Sequence, residues 1–226
     1  MRPVSLLYLT YNRLEFTKIS LPALLKRTNW DLVERFCLWD DSSEDGTWEY
    51  LNSLNLPKQT DLRQGSLHII TETMNQFIFS SDTNFIAKID NDVIVEKGWL
   101  EACLSVLQSE KKLGFLGMEV YRKGVIIESG NFSYIAAEFI GGVGVFRRVA
   151  FQEGIIPLKE HLQPQFDNQY FGFTRYQQNQ CKHWLKGFIQ PCFIEEDLDY
   201  YHNTDNKKYK ELTEKYVQKG WQRRQG

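Results

Sequence analysis

Phe85-Ile86-Ala87-Lys88-Ile89-Asp90-Asn91-Asp92-Val93-Ile94-Val95 places two carboxylates one residue apart at the end of an apolar, β-branched run. Such a run reads as a strand buried in a sheet. When it ends in Asp-x-Asp, it holds hard oxygen ligands at the C-terminal edge of that sheet, where open α/β folds bind their ligands. Mg²⁺ and Mn²⁺ take one or two protein carboxylates, keep several waters and fill the remaining positions with phosphate oxygens. The segment therefore points to a divalent cation and a phosphate. So short a pattern also fits a solvated turn, and the reading needs a second site.

A second site lies near the N-terminus. Val4-Ser5-Leu6-Leu7-Tyr8-Leu9 is another apolar run, followed by the polar group Thr10-Tyr11-Asn12-Arg13 and a helical pattern through Leu14, Ile19, Leu21, Leu24 and Leu25. Strand, polar loop and helix open a βαβ unit. Phe36-Cys37-Leu38-Trp39 supplies the next strand and ends in Asp40-Asp41-Ser42-Ser43-Glu44-Asp45-Gly46-Thr47, before a helical stretch over 48–54. Three strands that each give way to polar groups predict an α/β fold with a mainly parallel sheet. Its C-terminal edge is lined by Thr10, Asn12, Arg13, Asp40, Asp41, Asp90 and Asp92. The 40–47 segment also has the composition of a capped turn, since Asp and Ser cap helices and Asp-Gly turns tightly.

In this order and spacing, Leu9-Thr10-Tyr11-Asn12-Arg13, Trp39-Asp40-Asp41-Ser42-Ser43-Glu44-Asp45-Gly46-Thr47 and Ile89-Asp90-Asn91-Asp92 resemble the nucleotide-sugar-dependent glycosyltransferases of the GT-A fold, family 2 in particular, over roughly residues 4–202. The resemblance implies a single Rossmann-like domain, a central mainly parallel sheet flanked by helices. It implies a nucleoside diphosphate sugar as donor, with a UDP-sugar favoured, and Mn²⁺ or Mg²⁺ as cofactor. Thr10, Asn12 and Arg13 would line the nucleoside pocket, with Asp40 or Asp41 accepting from the base or a ribose hydroxyl. Asp92 would be the main metal ligand, and Asp90 would face the ribose or the sugar.

The second half carries weaker matches. Phe139-Ile140-Gly141-Gly142-Val143-Gly144-Val145-Phe146-Arg147-Arg148 resembles the family's glycine-containing strand, which puts Gly141 and Gly142 under the donor sugar or the acceptor; a bulged strand without a ligand is the alternative. The family's catalytic base falls on Asp167, eight residues before Arg175, although the preceding acidic residue of the usual pair is absent here. His202, after the acidic run Glu195-Glu196-Asp197-Leu198-Asp199, matches a histidine that ligands the metal or contacts the diphosphate. The implied reaction is transfer to an acceptor hydroxyl with inversion. Cation and carboxylate divide the work, one stabilising the departing diphosphate and the other removing the acceptor proton.

Length and composition fit this without deciding it. The 226 residues suit one domain, read as a nucleotide-sugar half (1–95), an acceptor half (96–204) and a basic tail (205–226). A net charge of −2 gives no global attraction to nucleic acid or acidic membranes. No apolar run approaches the roughly 20 residues of a membrane span, and the N-terminal residues lack a signal-peptide core, so a cytoplasmic location is expected. Cys37, Cys103, Cys181 and Cys192 lack Cys-x-x-Cys spacing and read as free thiols. Residues 55–66 read as a loop, Leu67-His68-Ile69-Ile70 as a strand, and residues 99–113 as a helix packed on the sheet. The acceptor is read as a saccharide, with a modified nucleic-acid base as the alternative given the basic tail. The rival readings are a nucleotidyltransferase, which commonly opens on a glycine-rich phosphate loop absent from residues 9–14, and a nucleotide-sugar-binding module without turnover.

Overall fold

The computed structural model describes residues 3–65, 70–119, 124–151, 173, 176–178, 181–199 and 207–215. Its frame is a nine-stranded sheet in the order β3-β2-β1-β4-β9-β6-β10-β8-β7, where β1 is Val4–Thr10, β2 Val33–Asp40, β3 Thr60–Gln64, β4 Phe85–Asp90, β6 Leu113–Gly117, β7 Ile126–Ser129, β8 Phe132–Ala137, β9 Gly144–Arg147 and β10 Leu185–Gln190. The strands β1 to β4 are mutually parallel. The strand β9 runs antiparallel between β4 and β6, which turns β6 and its parallel neighbour β10 back into the direction of β4. The C-terminal ends of β1, β2, β4, β6 and β10 therefore share one edge. A separate antiparallel pair joins β5, Val93–Val95, to β11, Ile194–Asp197.

Alternation along the strands explains why these runs are mostly apolar at successive positions. Leu6 and Tyr8 of β1 join Phe36, Leu38, Ala87 and Ile89 on one face, against Leu21 and Leu24 of α1 (Leu14–Arg27), Leu51 of α2 (Thr47–Ser53) and Trp99, Cys103 and Leu107 of α4 (Trp99–Ser109). Leu7, Leu9, Cys37 and Ile86 turn to the opposite face, against Met74, Phe77 and Ile78 of α3 (Ile70–Phe79) and an aromatic group of Phe115, Phe146, Phe151 and Phe173. With helices on both faces, no strand residue at the centre meets water, so period-two polarity disappears. Each fully buried side chain of this kind contributes about 1.5–3 kcal/mol.

Three local expectations are corrected. Residues 55–66 contain β3, an edge strand whose Thr60-Asp61-Leu62-Arg63-Gln64 are all half-buried or exposed; with one neighbour and polar side chains it has the composition of a loop. Ile70, expected to end a strand, begins α3, and residues 66–69 lie outside the described set. The strand expected over 139–148 begins only at Gly144. The strand read from 85–95 ends at its acidic motif as expected: β4 stops at Asp90, Asn91 and Asp92 form a turn, and Val93–Val95 leave for the second sheet. The sheet order divides into β3-β2-β1-β4, all from before residue 96, and β9-β6-β10-β8-β7, all from after it. Among the described residues no helix is long and apolar enough to cross a membrane, and the four cysteines are unbridged.

Candidate functional site

The shared C-terminal edge gathers the acidic motifs. Thr10, Asp40 and Asp90 are the last residues of β1, β2 and β4, and pairing aligns Thr10 with Asp40 and Leu9 with Asp90. The loops that follow are tied to one another. The Asp41 amide donates to the Thr10 carbonyl at 2.9 Å, the Asn12 amide to Ser43 Oγ at 2.6 Å, the Glu44 amide to Asn12 Oδ1 at 3.0 Å, and the Leu14 amide to Asp45 Oδ2 at 2.9 Å. Asp45 also accepts from the Thr47 amide and hydroxyl, so it closes the first turns of α1 and α2 together. Asn12, Arg13 and Ser42 have φ of 54°, 62° and 61°, and among the described residues no other non-glycine has a positive φ. Left-handed backbone in such residues costs about 1–3 kcal/mol each and concentrates where a ligand site dictates the loop's path.

Asp40 is fully buried. Burial raises its carboxyl above the ordinary range, while the Ser43 hydroxyl, the Ser43 amide and Gln64 draw it back. Both oxygens are engaged, Oδ1 by the Ser43 hydroxyl and Oδ2 by the Ser43 amide at 3.0 Å and Gln64 Nε2 at 3.5 Å. Asp40 thus shapes the loop, and Asp41, 6% exposed, stands beside it at the edge. The Thr10 hydroxyl is also used internally: it meets Thr17 Oγ1 at 3.3 Å and accepts from Asn91 Nδ2 at 3.1 Å. Asn91, the middle residue of Asp-x-Asp, turns inward and also donates to the Asn12 carbonyl and Thr17. Ser20 donates to the Asn91 carbonyl at 2.6 Å and contacts the Tyr8 hydroxyl, whose own proton burial holds tightly. At the outer end of β2, the buried indole N–H of Trp39 meets no acceptor among the described residues.

With Asn91 pinned inward, Asp90 and Asp92 flank it at the edge. The Arg13 guanidinium reaches Asp92 Oδ2 at 2.7 Å and Asp199 Oδ2 at 3.2 Å. Those two carboxylates are 5% and 4% exposed, so their interaction with the guanidinium is poorly screened. The second sheet brings them together: β5 follows Asp92, its partner β11 precedes Asp199, and the Leu198 amide donates to the Asp92 carbonyl at 2.7 Å. In the sequence Asp199 is only part of an acidic run; its signal is the β5–β11 pairing. Two carboxylates converging on one cation are a hard-oxygen donor set of the size Mg²⁺ or Mn²⁺ takes from protein. They fit a divalent ion that completes its shell with phosphate and water.

Asp90 forms an ion pair with Lys88, two residues earlier on the same face of β4 and 2% exposed. Gly141 and Gly142 lie in the connection into β9, at the same edge. A Cβ on Gly144 would sit 2.2 Å from the Leu116 carbonyl oxygen, so that position excludes a side chain, while one on Gly141 would sit 2.1 Å from Glu119 Oε1 and displace the carboxyl. Glu119 is not a candidate from sequence, for no motif surrounds it. Asp167, Arg175 and His202 lie outside the described residues.

A family model, glycosyl transferase family 2, matches residues 5–194. Among solved structures, S. aureus TarS 1-349 superposes with a TM-score of 0.63 at 14% identity, over 85% of this chain and 59% of that one. The same fragment in complex with UDP-GlcNAc gives 0.59 at 13% identity over 85% and 57%, and in complex with UDP 0.58 at 15% over 84% and 61%. This chain therefore spans 59% of the first of these, and at such identities the likeness is one of fold. No match is found among curated protein sequences. The family match runs from β1 into β11 and takes in both Asp-rich loops and the glycine connection, and by it the chain belongs to glycosyl transferase family 2.

Proposed function

We propose that the chain transfers a glycosyl group from a nucleoside diphosphate sugar, a UDP-sugar by preference, to an acceptor hydroxyl with inversion. The observation that carries this is the convergence of Arg13, Asp41, Asp90, Asp92 and Asp199 on one sheet edge, around loops held in left-handed backbone. The fold shared with TarS, whose structures hold UDP-GlcNAc and UDP, supports the choice of donor.

In this reading Asp41 accepts from the base or ribose, because both oxygens of Asp40 serve Ser43 and Gln64. The Asn12–Arg13 loop walls the nucleoside, while Thr10 acts from behind, keeping that loop in register through Asn91. Asp92, with Asp199 or His202, would hold Mn²⁺ or Mg²⁺. Bound there, the metal supplies Lewis-acid stabilisation of the departing diphosphate. Arg13 neutralises Asp92 and Asp199 when no ligand is present and can follow either partner when one is, which keeps the edge from carrying two uncompensated, nearly buried carboxylates. Asp90, steadied by Lys88, faces the ribose or sugar. Asp167 takes the acceptor proton; the acceptor is a saccharide, with a modified nucleic-acid base the alternative.

The test is titration of UDP with Mn²⁺ into the wild type and Asp92→Ala. The variant should lose metal-dependent affinity; its thermal transition should fall, because Asp92 is nearly buried and paired with Arg13, but Asp199 remains as a partner for the guanidinium and the chain stays folded. Undiminished metal-dependent binding in the variant refutes the assignment.

A further inference from the structure

Beside the donor edge lies a cluster centred on a carboxylate that the proposed transfer does not use. Glu119 stands two residues beyond β6, Asp90 ends β4, and these parallel strands are separated only by β9. The Glu119 carboxyl lies flat against Gly141: a Cβ there would come within 2.1 Å of Oε1, and 2.6 Å of Cδ and Oε2. Burial, and next the charge of Asp90, raise this carboxyl to about 7, while the Gly141 amide, the Lys88 ammonium and the Val143 amide pull the other way. On its far side the Cys192 thiol donates to the Met118 carbonyl and feels the same carboxylate.

The charge count decides what such a cluster can receive. Above about pH 7, where Glu119 is ionised, two carboxylates, Asp90 and Glu119, share one ammonium, Lys88, which is itself nearly buried and already paired with Asp90. Acceptor lone pairs outnumber donors. A ligand group that brings O–H donors without charge improves the balance, whereas a second anion would face like charge in a poorly screened place. A pyranose ring offers such hydroxyls.

We propose that Glu119 is a specificity-determining residue: beside Asp90, and against the bare Gly141 backbone, its carboxyl accepts from a hydroxyl of the transferred sugar, so that the site takes neutral sugars and rejects uronic acids. This rests on the proposed glycosyl transfer. Gly141, without a side chain, leaves the carboxyl its place, and Lys88 pairs with Asp90 next to it.

Calorimetric titration of the full chain at pH 8, where Glu119 is ionised, with Mn²⁺ and UDP, UDP-glucose, UDP-galactose, UDP-N-acetylglucosamine and UDP-glucuronic acid tests this. The wild type should bind at least one neutral UDP-sugar more tightly than UDP, and the glucuronic acid conjugate more weakly. Glu119→Gln should lose roughly tenfold of the advantage of sugar over no sugar and of the rejection of the uronate, with UDP affinity unchanged within about twofold, the change expected when one charged hydrogen-bond partner is removed. Glu119→Asp, which keeps the charge and shortens the reach, should go on rejecting the uronate. A variant that preserves all the wild-type ratios, or that loses UDP itself in proportion, overturns the role of Glu119 and leaves glycosyl transfer standing. A wild type that binds none of the nucleotides overturns both.

Discussion

Glu119 also sets a pH dependence that needs no ligand. Its carboxyl ionises near 4.5 in the unfolded chain and at about 7 in the folded one. Between those values the folded chain holds a proton that the unfolded chain has released. Stability therefore falls as pH climbs from about 4.5 to about 7 and is level above that. Glu119→Gln removes the titration. Thermal unfolding at pH 8 should show the variant ahead of the wild type by about 1–3 kcal/mol more than it does at pH 5, since a tenfold change in proton affinity corresponds to about 1.4 kcal/mol; equal pH profiles would contradict the raised carboxyl. Asp167 calls for a kinetic measurement. A hydroxyl nucleophile needs a proton acceptor, and Asp167→Asn keeps the shape while removing basicity. Transfer should fall roughly 10²–10⁴-fold with donor affinity nearly constant; if donor affinity falls in step with turnover, Asp167 belongs to the donor site instead. At this scale the sequence exposes what repeats a motif, namely Arg13, Asp41 and Asp92. Glu119 and Asp199 owe their places to β6 and β11, elements that reach the edge from distant parts of the chain, and no local pattern announces that.

Among the elements, the two-stranded β5–β11 sheet does the most for the site at the least size, because it fixes together Asp92 and Asp199, which lie far apart in the chain. Leu198, fully buried with Phe16, Ile94 and Tyr209, anchors it between the two. Leu198→Ala should cost about 2–5 kcal/mol of stability, as buried leucine truncations do. At temperatures where the variant stays folded it should also weaken Mn²⁺-dependent UDP binding by more than metal-free binding. Equal loss in both would mean that the anchor serves the core alone. Legibility at this level follows burial. The strands β1, β2 and β4 are covered on both faces and announce themselves as predominantly apolar runs. The strand β3 pairs on one side only and carries Arg63 and Gln64 into solvent, so its sequence keeps no trace of pairing. Val93–Val95 are as apolar as β4 before them; the turn at Asn91 depends on hydrogen bonds to Thr10, Asn12 and Thr17, residues that sequence proximity does not reveal.

For the molecule as a whole, the proposed function puts the nucleotide at the β3-β2-β1-β4 end of the sheet and leaves the other end to the acceptor. Hydrogen exchange with saturating UDP and Mn²⁺ should slow the amides after β1, β2 and β4 and leave those of β7 and β8 at their free rates, because a ligand held by one sheet edge suppresses only the openings that release it. Uniform slowing across both blocks would show that the sheet opens as a single unit. The order has a consequence for synthesis too. The strand β4 is complete at Asp90, yet its second neighbour, β9, begins only at Gly144. On the ribosome, at about 5–20 residues per second, roughly 3–10 s separate the two. Through that interval the nascent chain presents the open side of Phe85-Ile86-Ala87, a row of unpaired backbone groups between apolar side chains, to every other strand in the cell. Chaperone demand during translation should therefore peak while residues 96–144 are being made, and fragments released in that window should aggregate more readily than the finished chain.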